Sequence, residues 1–217
     1  SNTQYNPLVQ ISQIVWYDLK IMIFKRENWL ENTIGLSWSS KLRYREPALL
    51  RSMWSENRSK GILYARTCIL DVPGKFFAET SLIYPCTESI FPIFGSEYIM
   101  TAKGYFGATD FHPTNGEHDL VNEVFSSEPD RIVENSKHYN LDTYFSGRLW
   151  HKKGKENFYD EYVTACKRRV SAYIAALSGM PVSTAPNPDQ FSGFDRYMAD
   201  NDPAHGILKS YFGSEFA

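Results

Sequence analysis

Two carboxylic acids in this sequence are placed where they could do chemistry. Asp202 lies in "DNDPAHG", and Glu97 opens the apolar run of "FPIFGSEYIM" just after Gly95. A carboxyl group kept protonated by burial can hand a proton to an electron-rich ligand near neutral pH. Each acid also has a plain structural reading. Asp before Pro is a helix start, with the carboxylate accepting free N–H groups and proline in the first helical position. A glutamate at the start of a strand ordinarily points to solvent. Arg66 and Thr80 fall on the two arms of a predicted hairpin. There an arginine lays its stem along apolar surface, and a threonine is an ordinary strand residue. Lys152, Lys153 and Lys155, with Lys167-Arg168-Arg169, read either as a solvated face or as a basic patch for an acidic partner.

The elements that must carry these residues separate along the chain. "GILYARTCILDV" (61–72) and "KFFAETSLIYP" (75–85) are rich in β-branched and aromatic residues, and Pro73-Gly74 between them suits a type II turn. "SEYIMTA" and "YFGATDF" flank Lys103-Gly104 and form a second predicted hairpin. "KLRYRE" and "LLRSMWSE" supply two further strands. Short connections make the whole an antiparallel meander of about six strands. From Glu156 to Ser178, Phe158, Tyr162, Cys166, Val170, Tyr173, Ile174 and Leu177 fall on one helical face, ended by Gly179 and Pro181. "VSTAPNPDQ" is a polar loop, and "FSGFDRYMAD" and "PAHGILKSYF" form a final helical pair. The stretch "NPLVQISQIVWYDLKIMIF" is also compatible with a helix. Strands first and helices later predict an α+β fold, a three-layer α/β/α sandwich around an antiparallel sheet, as one domain over residues 1–217.

Composition narrows the function. The 217 residues carry a net charge of -2, which gives no reason to expect nucleic acid, and 15% are aromatic, enough to fill a core and line a pocket for a flat ligand. No apolar run approaches the ~20 residues of a membrane helix. The three cysteines, Cys68, Cys86 and Cys166, are far apart and form no C-x-x-C pair. The five histidines show no zinc spacing, and no G-x-G-x-x-G or Walker loop is present. We therefore expect no metal and no nicotinamide site. Cysteine usage and the lack of a charged-then-apolar opening segment lead us to expect the cytoplasm, or a plastid stroma for an algal or plant source.

Four segments in order resemble one family. "LIYPCTESIFPIFGSEYIM" (82–100), "TDFHP" (109–113), "YFSGRLW" (144–150) and "DRYMADNDPAHGILKSYFG" (195–213) are similar to blocks of the ferredoxin-dependent bilin reductases. The members that make dihydrobiliverdin or phycoerythrobilin are nearest. The resemblance implies an antiparallel sheet between helices, with the bilin lying between the sheet and the C-terminal helices. It implies no metal or bound organic cofactor, electrons delivered singly by reduced ferredoxin, and protons from protein carboxyl groups.

Carried over by position, Asp202 falls on the family's C-terminal catalytic Asp. Glu97 falls where many members have Asp and some Asn, and Thr80 where members carry His, Asp or Asn. Glu79 is the alternative acid if the register slips by one. The resemblance places Thr80, Arg66, Phe145, Ser146, Arg148 and Met198 at the substrate, with Arg148 and Arg66 as candidates for the propionates. It makes Lys152, Lys153, Lys155 and Arg168 candidates for docking ferredoxin. Met198 favours biliverdin over 15,16-dihydrobiliverdin as substrate. The implied activity is reduction of biliverdin IXα to 15,16-dihydrobiliverdin, with continuation to phycoerythrobilin open, by a monomer. Two alternatives stay open: reduction of another linear tetrapyrrole such as a chlorophyll catabolite, which Glu97 motivates, and a non-catalytic bilin-binding protein.

Overall fold

The computed structural model describes residues 29–86, 91–114, 118–130, 141–182, 188–202 and 204–214. The proposed N-terminal helix, most of the "VSTAPNPDQ" loop and Pro203 lie outside the described residues. A seven-stranded antiparallel sheet forms the middle layer, its strands in sequence order: β1 (Ser39–Arg45), β2 (Ala48–Asn57), β3 (Ile62–Val72), β4 (Phe76–Pro85), β5 (Ile93–Thr101), β6 (Gly104–His112) and β7 (Trp150–Gly154). The helices are α1 (Trp29–Ile34), α2 (His118–Val124), α3 (Leu141–Tyr144), α4 (Tyr159–Ser178), α5 (Ser192–Asn201) and α6 (His205–Phe212).

The meander follows from its turns. Gly74 takes φ 72° and the Lys75 N–H donates to Val72 O at 2.9 Å, closing the β3–β4 hairpin where Pro-Gly predicted it. Gly104, at φ 138°, opens β6 after a two-residue turn. The expectation of about six strands is one short. The seventh, "WHKKG", lacks an apolar alternation, and its identity rests on backbone pairing with Tyr105–Thr109 of β6.

Side-chain alternation divides the sheet into two faces. Ala65, Ile69, Phe77, Ile83, Phe94, Tyr98 and Phe111 face α1 and α4, where they pack on Tyr162, Cys166, Val170, Tyr173 and Leu177. This is the helical stripe read from the sequence. The opposite face is covered in two pieces. Leu50, Leu70, Ala78 and Ile99 pack under Ala204 and Phe212 at α6. Leu82, Tyr84 and Ile93 pack under Phe191 and Phe194, which lead into and begin α5. No described helix is long and apolar enough to cross a membrane.

Candidate active site

Because two separate helices cover the second face, a strip of sheet is left between them. Cross-strand register defines it. Cys68 pairs with Thr80, Thr80 with Glu97, Glu97 with Ala108, and Ala108 with His151. All five are half-buried. The row on one side, Leu70–Ala78–Ile99, is buried beneath α6. The row on the other, Leu82–Gly95–Asp110, is also buried. At ~4.8 Å between strands, the half-buried row from β3 to β7 runs roughly 19 Å. It is a flat floor of small and polar side chains between apolar walls.

Asp202 stands at the junction of the helices above this floor. It ends α5 in extended backbone, φ -65° and ψ 114°. Its Oδ1 accepts the Ala204 N–H at 2.7 Å, and its carbonyl accepts the His205 N–H at 3.1 Å. This is a turn ahead of α6 and not the predicted cap: the N-cap of α6 is Ala204, which has no side-chain cap bond, and Asp202 is the C-cap of α5. Among the described residues Oδ2 makes no hydrogen bond.

Glu97 is the other acid. Burial pushes its carboxyl up to about 8, and the nearby Asp202 carboxylate pushes the same way. A group so poised holds its proton at neutral pH and can release it to a stronger base. Thr80 lies directly opposite Glu97 on β4. Glu79 turns to the other face, where it accepts from Trp29 Nε1 at 2.5 Å and from the Tyr159 hydroxyl at 2.8 Å.

The remaining expected substrate residues divide. Phe145 packs with Leu149 and Tyr197 against Ala108, forming a wall of the floor. Arg66 is exposed on the same face, in register with Leu82. Met198 packs in the buried cluster beneath α5. Ser146 is fully buried and braces its segment against β6, donating its N–H and its hydroxyl to Asp110. Arg148 donates to Glu128 O at 2.9 Å, Asp130 Oδ1 at 2.5 Å and Asn122 O at 3.3 Å. Its guanidinium is committed there and does not reach the floor.

No protein-family model matches the chain. It is 27% identical over 199 residues to a 15,16-dihydrobiliverdin:ferredoxin oxidoreductase of Nostoc punctiforme, covering 84% of this chain and 80% of that one. It is 26% identical over 216 residues to a phycoerythrobilin:ferredoxin oxidoreductase of Prochlorococcus marinus, covering 87% and 84%. The chain is thus similar in sequence to ferredoxin-dependent bilin reductases. Its fold resembles that of tomato phytochromobilin synthase, solved in complex with biliverdin, with a TM-score of 0.59 at 15% identity over 89% of this chain and 77% of that one.

The cations expected to meet ferredoxin do not form one patch: Lys152 and Lys155 line one cavity on the α4 face, and Lys153 lies on the opposite face of the sheet. Lys152 forms an ion pair with Glu161 and lies over the Phe158 ring. Lys155 donates to Lys103 O at 2.7 Å. Arg168 pairs with Glu128 at 2.7 Å, beside the buried Arg169–Glu128 pair. Lys153 is exposed and shares the face of the floor through its register with Phe106. A cavity of about 1120 Å³, lined by Phe77, Tyr98, Met100, Tyr105, Phe158 and Tyr159, also lies on the α4 face. It is on the wrong side of the sheet for Glu97 and Asp202.

Sequence reasoning missed Cys68, Ala108 and His151, which join the site through strand register alone. It also missed His112. The imidazole of His112 lies over Gly95, where a Cβ would meet Nε2 at 2.3 Å, so the glycine marks a close approach. His112 Nδ1 lies 2.9 Å from Tyr144 O. Burial holds the ring's pKa below the usual value, against the opposing pull of Asp110 and the Tyr144 carbonyl. The ring is neutral, so Nδ1–H is the donor and Nε2 keeps its lone pair.

Proposed function

We propose that this chain reduces a linear tetrapyrrole with electrons from ferredoxin, converting biliverdin IXα to 15,16-dihydrobiliverdin. The observation that carries the reading is the position of Glu97 on the half-buried floor, paired with Thr80 and near enough to Asp202 for that charge to raise its pKa. A bilin is flat and apolar in its middle, which suits a long half-buried floor walled by Phe145 and Tyr197. Its conjugated system accepts electrons one at a time. Each added electron makes the ligand more basic, so it draws a proton from a neighbouring acid. Two electrons and two protons saturate one double bond.

Glu97 supplies one proton from the sheet side, and Asp202, a carboxylate in the ligand-free protein, passes on the other from the helical side after taking up a proton from solvent as the bilin binds. An acid on each face confines protonation to the carbons they touch, which makes the reduction regiospecific. Thr80, opposite Glu97, contributes a hydroxyl that donates or accepts a hydrogen bond but is no acid at this pH. Arg66, exposed at the β3 end, is the cation placed to meet a propionate.

The test is an anaerobic incubation with biliverdin, ferredoxin and a ferredoxin-reducing system, followed by chromatography. Loss of biliverdin with appearance of a two-electron product supports the reading. A second two-electron step would appear as phycoerythrobilin. A shifted absorbance spectrum with no consumption of biliverdin would reduce the chain to a binding protein.

A further inference from the structure

The strand register runs one step past the floor. Cys68 pairs with Ser52 on β2, and Ser52 pairs with Lys41 on β1. Lys41, Arg43 and Arg45 alternate along β1, which puts all three on the face that carries Glu97. Arg43 stands opposite Leu50 and Arg45 opposite Ala48, both members of the cluster that α6 covers. Lys41 and Arg45 are exposed and Arg43 is half-buried. Arg66, two strands in, is exposed on the same face. Four cations therefore share one end of one face in a chain whose net charge is -2. Glu46 and Glu56 lie only at the margins of the group, in the turn after Arg45 and near the end of β2. Among the described residues Lys41, Arg45 and Arg66 form no ion pair, whereas Lys152 and Arg168 do.

We propose that the basic comb of Lys41, Arg43 and Arg45 on β1 is the docking surface for the acidic iron–sulfur electron carrier. This rests on the reading of the chain as a ferredoxin-dependent bilin reductase. Ferredoxins are acidic, and opposite charges steer encounter and orient the complex. The place is suitable because β1 lies two strand spacings, roughly 10 Å, from Cys68 at the near end of the floor. A carrier seated there lies beside the near end of the floor, where the edge of a bound bilin would be. Cations on an edge strand also discourage pairing with other chains, and that role alone would leave carrier binding untouched.

The decisive experiment compares wild type with the triple variant Lys41→Gln/Arg43→Gln/Arg45→Gln, using a plant-type [2Fe–2S] ferredoxin as the probe. The KM for ferredoxin is expected to rise roughly tenfold, while kcat at saturating ferredoxin and the affinity for biliverdin stay within about twofold. Added salt should weaken the wild-type KM and leave that of the variant nearly unchanged. Comparison at matched folded fraction, measured by circular dichroism, removes any effect of stability. An unchanged KM would overturn the proposal and leave the comb as edge protection. So would a KM increase produced instead by Lys152→Gln/Lys155→Gln, or a loss of biliverdin affinity in the triple variant. If wild type binds biliverdin but ferredoxin drives no turnover, the functional reading falls and takes this proposal with it. Ferredoxin-driven turnover that is indifferent to β1 overturns the docking surface alone.

Discussion

The Asp202 carboxylate acts on Glu97 across the gap between sheet and helices, raising the pKa of Glu97 on top of the effect of burial. One acid thus keeps the other loaded. A titration of the Glu97 carboxyl in the ligand-free protein, by its infrared carbonyl stretch, is expected to show a midpoint of about 8. Asp202→Asn removes the neighbouring charge and should move that midpoint down, though not to the ordinary value, because burial remains. Glu97→Gln should erase the signal. A midpoint indifferent to Asp202 would mean that the two groups are too far apart to cooperate.

The same shift affects stability. The Glu97 pKa is raised from 4.5 to about 8 on folding, so between those values the folded protein keeps a proton that the unfolded chain gives up. Stability should therefore fall as pH rises from about 4.5 to about 8, with no further contribution from this group above that. Glu97→Gln carries no titrating group and should flatten that part of the profile, becoming more stable than wild type above pH 8. Urea unfolding at several pH values measures it. Parallel wild-type and variant profiles would contradict the burial of Glu97.

Cys68 offers a way to find the ligand. It is the half-buried cysteine of the floor, while Cys86 and Cys166 are fully buried. A thiol reagent under native conditions should label Cys68 first, as its Sγ lies 3.7 Å from Ser52 Oγ at the near end of the floor. Saturating biliverdin should slow that labelling at least several-fold. Mass spectrometry of the labelled peptide reads the result. Equal rates with and without biliverdin would place the ligand elsewhere, the cavity on the α4 face included.

Glu79 separates stability from chemistry. Its carboxyl accepts hydrogen bonds from Trp29 and Tyr159 in the buried layer opposite the floor. Glu79→Leu leaves both donors without that acceptor and should destabilise by about 1–3 kcal/mol for each stranded group. Turnover per folded molecule should stay near that of wild type. A large loss of kcat with unchanged stability would restore Glu79 as the catalytic acid of a shifted register.

Much of this was legible in the sequence where chemistry is local. Pro73-Gly74 set the β3–β4 hairpin, and so the pairing of Cys68 with Thr80. The tight turn before Gly104 likewise set the pairing of Glu97 with Ala108. Joining these two hairpins needs the pairing of Thr80 with Glu97, and the chain between β4 and β5 is too long for turn chemistry to decide it. The resemblance put Thr80 and Glu97 in one site, but only backbone pairing puts them side by side. His151 was hidden for a similar reason: "WHKKG" has no strand pattern of its own, so its histidine could not be assigned a face. Arg148 went astray because its partners Glu128 and Asp130 are distant in sequence. No periodicity announces that a guanidinium is already occupied.

The central claim is that Glu97 and Asp202 protonate a bilin reduced one electron at a time. Electron paramagnetic resonance during ferredoxin-driven reduction of biliverdin by Glu97→Gln and Asp202→Asn tests it most directly. Both variants are expected to bind biliverdin, accept an electron and accumulate an organic radical that wild type passes through without build-up. Turnover at the wild-type rate in either variant, with no radical, would show that the protons come from elsewhere and would contradict the account.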